Sequence, residues 1–168
     1  MKILKFGGTS VGSVDSIRSV MQIVTAAKEA GEKPLVVLSA MGGITNLLTR
    51  LAEDAESGND VSGGLVEFEE RHFSVVRQLI AVQQQNPVFT KIKIFINELE
   101  ELLQGVQSLR ELSLQSKDLI LSYGERCSAF LVSKVLEQEH PEAMFVDARD
   151  LVRTINQFGN AQVDLPLT

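Results

Sequence analysis

The chain is poor in cysteine, in positive charge and in long apolar runs, and each shortage closes a class of function. Its 168 residues hold one cysteine, Cys127. No internal disulfide can form, and a disulfide-braced secreted scaffold is excluded. Lysine and arginine number 16 against 22 acidic residues, a net charge of −6. Nucleic acid or an anionic membrane as the main partner would select a basic face, so neither is expected. A small anionic ligand remains possible, because a few local cations suffice for one. No apolar run approaches the ~20 residues of a membrane span. The N-terminal apolar stretch stops at Phe6, too early for a signal peptide. The expected setting is the cytoplasm. Low-complexity tracts are absent, and the only internal repeat is a strand–diglycine–helix pattern that occurs twice.

What is present is ordinary globular material, 44% apolar and 23% charged, long enough for one compact domain. Lys2 to Phe6 reads as a strand broken by Gly7-Gly8. Ser13 is placed to cap a helix from Val14 to about Ala30, with Ile17, Val20, Met21, Val24 and Ala27 at helical spacing. Gly31 ends it. Leu35-Val36-Val37-Leu38 is a continuous apolar run, which suits a central parallel strand buried on both faces. Met41-Gly42-Gly43 breaks that strand, and a second amphipathic helix follows through Leu47, Leu48, Leu51 and Ala55. Two longer helical patterns, Leu65 to about Gln84 and Val88 to Leu103, are expected to form a hairpin divided at Pro87. A fifth helix covers Ser116 to about Glu139. Ala143 to Val146 is a third strand candidate, and Asp147 is placed to cap a short helix. From Asn156 onward the pattern is loop-like.

Glycines between a strand and a helix let backbone approach a ligand, and the helix start behind them offers unpaired N–H groups. Such a turn is an anion site, most often for phosphate. Two of them on neighbouring parallel strands fall side by side at the C-terminal sheet edge, where open α/β sheets bind ligands. Lys5, on the same strand face as Ile3, either extends its ammonium into solvent or meets a transferring phosphoryl group. A cation ~4 Å from a phosphate oxygen gains on the order of 4 kcal/mol at an effective dielectric near 20, which matters for a transition state charged on those oxygens. The pattern is not a P-loop, because the lysine precedes the glycines. It is not a dinucleotide fingerprint either, because "GGTSVG" lacks the G-x-G-x-x-G spacing.

The strings "KFGGTSVG", "VVLSAMGGITNLL", "LSYGERCSA" and "VDARDL" with "FGNAQVD" resemble, in colinear order, the signatures of the aspartate kinases of the amino-acid kinase superfamily. The resemblance implies a helix-rich α/β fold, a three-layer α/β/α sandwich with a mostly parallel sheet. It also implies ATP-dependent phosphorylation of the L-aspartate side-chain carboxylate to 4-phospho-L-aspartate, the first step towards lysine, threonine and methionine. By the same resemblance Lys5, Gly7, Gly8, Thr9, Ser10, Gly42 and Gly43 hold the ATP phosphates, with Lys5 catalytic. Ser39, Ala40 and Thr45 lie near aspartate, and Glu125 receives its ammonium. From the residues alone, Glu125 could equally pair with Arg126 or Lys117, or be simply exposed. Magnesium is expected to arrive with the nucleotide rather than on a protein metal site. Arg126, Asp147 and Arg149 fall in matched motifs without an assigned role. Cys127 reads as a buried structural thiol, and His72 and His140 as surface residues.

Residues 1–168 correspond to the N-terminal, substrate-binding part of such a kinase domain. The family's "GRGGSD"-type and "TDVDGVY"-type segments, which complete the nucleotide-binding half, are not in the sequence, and neither are regulatory domains. The chain is therefore expected to be a fragment with little or no kinase activity of its own. The full-length protein is expected to be a homo-oligomer. Fusion to homoserine dehydrogenase stays open, as do two alternative readings: another kinase of the superfamily, and a non-catalytic binding module of the same fold.

Overall fold

The computed structural model describes all 168 residues. Two strands, β1 (Lys2–Phe6) and β2 (Pro34–Leu38), pair in parallel with Lys2 opposite Pro34 and Phe6 opposite Leu38. Helix α1 (Val14–Glu29) makes the crossover between them. Four further helices follow: α2 (Ile44–Ser57), α3 (Ser62–Leu79), α4 (Val82–Leu109) and α5 (Leu114–Glu137). The expected α/β class and most expected helices stand.

Local chemistry explains the starts. The Ser13 hydroxyl accepts the Ser16 N–H at 3.1 Å and opens α1, and Ser113 does the same for α5 through Ser116 at 3.0 Å. Each such cap contributes about 1 kcal/mol. Helix α2 ends at Gly58, which sits at φ 75° and takes the left-handed C-cap that glycine adopts without strain.

One continuous core joins the helices to one face of the sheet. Ile17, Ile44, Leu48, Phe68, Ile92, Leu99, Leu103, Ile120 and Leu131 are fully buried in it. Leu4, Phe6, Val36 and Leu38 turn towards this core. Ile3, Lys5, Leu35 and Val37 occupy the other face and are exposed. The apolar run in β2 is thus buried on one face only. The expectation of two buried faces rested on composition, and this chain carries no second helical layer over Leu35, which is 47% exposed, or Ile3, which is 63% exposed.

Three further expectations need correction. The helical hairpin breaks at Ile80-Ala81, not at Pro87. Both residues of the break are extended, and the Gln138 side chain holds it, accepting the Ala81 N–H at 2.9 Å and donating to the Leu79 carbonyl at 2.6 Å. Pro87 lies inside α4 as its sixth residue; the helix runs on through it, at the cost of the N–H that would otherwise reach the Gln83 carbonyl. Ala143 to Val146 is extended and alternates, with Ala143 and Phe145 packed inward and Met144 and Val146 exposed, but no ladder joins it to the sheet. Phe145 is held instead by an edge-on contact to Phe130, centroids 5.8 Å apart. His72 is fully buried rather than at the surface.

After that segment Asp147 caps a short 3-10 turn, Ala148–Asp150, through the Arg149 N–H at 3.1 Å. The remainder is loop with one antiparallel bridge, Thr154 to Val163.

Candidate functional site

The two diglycine turns meet. A Cβ on Gly8 would lie 2.9 Å from the Ala40 carbonyl oxygen and 3.7 Å from the Gly42 Cα. A Cβ on Gly12 would lie 3.1 Å from the Gly8 oxygen and 3.4 Å from the Gly42 nitrogen, and one on Gly42 would lie 3.3 Å from the Gly8 oxygen. The backbones of the first and second turns are therefore in contact, and side chains at these three positions would push them apart. Gly7 is different, because open space surrounds its Cβ position. The contact follows from the parallel pairing, which ends both strands at the same rim: the Ser39 N–H extends the ladder by donating to the Phe6 carbonyl at 3.2 Å.

Each turn exposes backbone donors. The first runs into a 3-10 turn, Gly8–Val11, with Gly7 ahead of it and no side-chain cap. The second runs into α2, whose N-cap Gly43 also brings no side chain to the helix start. Ile44 N–H is used by the Met41 carbonyl at 2.9 Å and Leu47 N–H by the Gly43 carbonyl at 3.1 Å, whereas the Thr45 and Asn46 amides take no backbone acceptor outside the helix. The side chains of Thr9 and Thr45 are exposed, and Ser10 and Ser39 are half-buried. Amides at a helix start, carrying the positive end of the dipole, favour an anion.

Glu125 joins this rim from α5. Its Oε1 accepts the Ala40 N–H at 3.3 Å. Neither cation that could have neutralised it does so. Arg126 pairs with Glu98 at 3.4 Å and with Asp147 at 3.4 Å, and Lys117 pairs with Glu53 at 3.5 Å. Close packing holds Glu125 in place. A Cβ on Gly124 would lie 2.8 Å from the Ala40 Cβ and 3.2 Å from the Ile44 Cγ2, so glycine lets α5 approach the second turn closely enough for Glu125 to reach Ala40. Lys5 stands on the open face of β1, and no carboxylate of the chain pairs with it.

The remaining motif residues form a separate, structural cluster. The Arg126 side chain is 10% exposed and stacks on the rings of Tyr123 (4.4 Å) and Phe95 (4.8 Å). Asp147 is gripped by Arg149 through Nη2 at 2.7 Å and Nε at 3.0 Å. That hydrogen-bonded pairing holds the Asp147 carboxyl below its ordinary value and the Arg149 guanidinium above its own. Cys127 is buried as expected, and burial pushes its thiol up to about 12, which leaves it unreactive.

One residue at the rim carries no motif signal. Arg71, on α3, donates from Nη2 to the Gly42 carbonyl, and its Nη1 lies 3.2 Å from where a Gly43 Cβ would be. Sequence reading places it on the polar side of an amphipathic helix, and nothing local shows that this side faces the second turn. No three His, Cys, Asp or Glu side chains converge in a way that could hold a metal ion, and no helix is long and apolar enough to cross a membrane.

Known proteins resemble this chain over nearly its whole length. The profile of the Amino acid kinase family matches residues 1–165. Aspartokinase 1, chloroplastic, of Arabidopsis thaliana is 30% identical over 164 residues, which is 96% of this chain and 28% of that protein. Lysine-sensitive aspartokinase 3 of Escherichia coli is 32% identical over 171 residues, 97% of this chain and 34% of that protein. The crystal structure of E. coli aspartokinase III in complex with aspartate and ADP superposes with a TM-score of 0.86 at 29% identity, covering 99% of this chain and 35% of that one. Its complex with lysine and aspartate gives 0.85 at 28% identity. The chain spans about a third of the length of these relatives. By the profile that covers nearly all of it, this chain belongs to the amino acid kinase family.

Proposed function

We propose that the chain forms the aspartate-binding and phosphate-facing part of an ATP-dependent aspartate kinase. The observation that carries the proposal is the bond from the Ala40 N–H to Glu125, because it brings an unneutralised carboxylate to the rim where both diglycine turns converge. On this reading Glu125 receives the substrate ammonium. Ser39, Ala40 and Thr45 position the amino acid, the Thr45 hydroxyl and amide donating to a carboxylate. Lys5, Gly7, Gly8, Thr9, Ser10, Gly42 and Gly43 face the nucleotide phosphates. A side-chain carboxylate oxygen of aspartate attacks the γ-phosphorus, forming the acyl phosphate while the bond to ADP breaks. Lys5 neutralises charge on the oxygens in flight, which is the main demand of such a transfer. Magnesium belongs to the nucleotide phosphates in this scheme and takes no cluster of ligands from this chain. The solved E. coli relative, which holds aspartate and ADP, supports the choice of ligands.

Isothermal calorimetry tests the proposal. L-Aspartate is expected to bind with one site per chain and L-glutamate at least ~10-fold more weakly, since a longer side chain misplaces its carboxylate relative to the ammonium. Equal affinity for the two, or binding of neither, would refute it.

A further inference from the structure

Residues Met41 to Ile44 form a β-turn closed by the Ile44 N–H to Met41 carbonyl bond at 2.9 Å. Gly43, its third residue, lies at φ 83° and ψ −11°, while Gly42 is not among the glycines of positive φ. These angles make it a type II turn. A type I turn keeps the same closing bond and differs by a flip of the central peptide, which carries the third residue to a φ near −90°. Both states are open to a Gly-Gly pair, because glycine populates either sign of φ about equally. The local sequence therefore leaves the orientation of the Gly42–Gly43 peptide undecided.

Arg71 decides it. Its guanidinium takes the Gly42 carbonyl, the oxygen that reverses direction when the peptide flips. The peptide is trans, so the Gly43 N–H runs antiparallel to that carbonyl and points away from Arg71. That N–H has no acceptor in the chain. We propose that Arg71 is a positioning residue: by holding the Gly42 carbonyl it latches the turn in its type II state and keeps the Gly43 amide presented, with those of Thr45 and Asn46, to the anion bound at the rim. The ligand half of this proposal rests on the function proposed above. The latch half rests on the turn geometry alone.

Nuclear Overhauser spectra of the 15N-labelled protein separate the two turn states. A strong Gly42 Hα to Gly43 amide cross-peak marks type II, and a strong Gly42 amide to Gly43 amide cross-peak marks type I. The wild-type protein and Arg71→Lys, which keeps a donor, are expected to show the type II peak. Arg71→Met is expected to show the type I peak and to bind Mg-ATP roughly 10-fold or more weakly by calorimetry, the usual cost of losing a hydrogen bond to a charged group. Gly43→Ala approaches the same state from the turn side, because alanine resists positive φ, and it serves if Arg71→Met does not fold. A type II peak retained in Arg71→Met overturns the latch. A flipped turn with unchanged ATP affinity overturns the presentation of the amide. If the wild-type protein binds neither L-aspartate nor ATP, the proposed function fails and takes the ligand half with it, while the cross-peaks still decide the latch.

Discussion

Glu125 and His72 show how differently two ionisable side chains can be placed in one small domain. Glu125 is exposed, accepts a single backbone N–H and forms no ion pair with any cation of the chain. On the proposed function, Glu125→Ala is expected to weaken L-aspartate binding by ~10-fold or more while moving ATP binding less than about threefold; equal effects on both would contradict its assignment to the amino acid. His72 is the opposite case. It is fully buried, with Nδ1 bound to the Phe68 carbonyl at 2.7 Å and Nε2 without a partner. Burial is the main cause that lowers it from 6.5 to about 4. As pH falls through 6.5, the unfolded chain takes up this proton before the folded one does. The stability held by the neutral ring is thus complete above pH 6.5 and is lost progressively down to about pH 4. The shift corresponds to on the order of 3 kcal/mol. Urea midpoints at pH 7, 5.5 and 4.5 should fall steeply in the wild-type protein and less so in His72→Leu. Parallel slopes would show that His72 is not the responsible group.

At the scale of elements, the packing of α5 on the second turn is the contact on which the site's geometry depends. Gly124 permits it. Gly124→Ala would drive a methyl to 2.8 Å from the Ala40 Cβ and 3.3 Å from the Leu48 Cδ1. Backbone must then shift, because these neighbours are themselves packed against the core. Overpacking of this kind costs about 1–3 kcal/mol, and it also moves Glu125 away from Ala40. The expected outcome is a lower urea midpoint together with weaker aspartate binding, whereas the wild-type midpoint in Gly124→Ala would show that the helix can back away freely. How much of this was legible in the sequence follows from range. The caps Ser13 and Asp147, the five helices and the two diglycine turns each announce themselves within a few residues, through hydrogen-bonding type and spacing. The convergence of the turns was legible too, because two parallel strands joined by a crossover must end at one rim. The break at Ile80-Ala81 was not, since the residue that holds it, Gln138, arrives 57 positions later in the chain. Arg71 and His72 escaped for the same reason. They are adjacent on one helix, yet one faces the glycine turn and the other the core, and only the tertiary packing of α3 decides which is which.

For the molecule as a whole, the open face of the sheet is the feature that most limits what this chain does alone. Ile3, Leu35 and Val37 are large apolar side chains left exposed beside Lys5, the proposed phosphoryl cation. A cation on an uncovered face works in water, where a charge pair at ~4 Å is worth only about 1 kcal/mol. In a partly enclosed site the same pair is worth about 4. Enclosure also keeps water from competing for the phosphoryl group and from hydrolysing an acyl phosphate once formed. The chain spans about a third of the relatives it matches. Ligand binding and phosphoryl transfer should therefore separate in the 168-residue chain. L-Aspartate is expected to bind, because Glu125, Ala40 and Thr45 are assembled on one continuous core. Coupled measurement of ADP release with ATP, magnesium and L-aspartate is expected to give turnover at or near background. Turnover within about tenfold of a full-length aspartokinase would show that the exposed rim is catalytically sufficient, and that Lys5 needs no further enclosure.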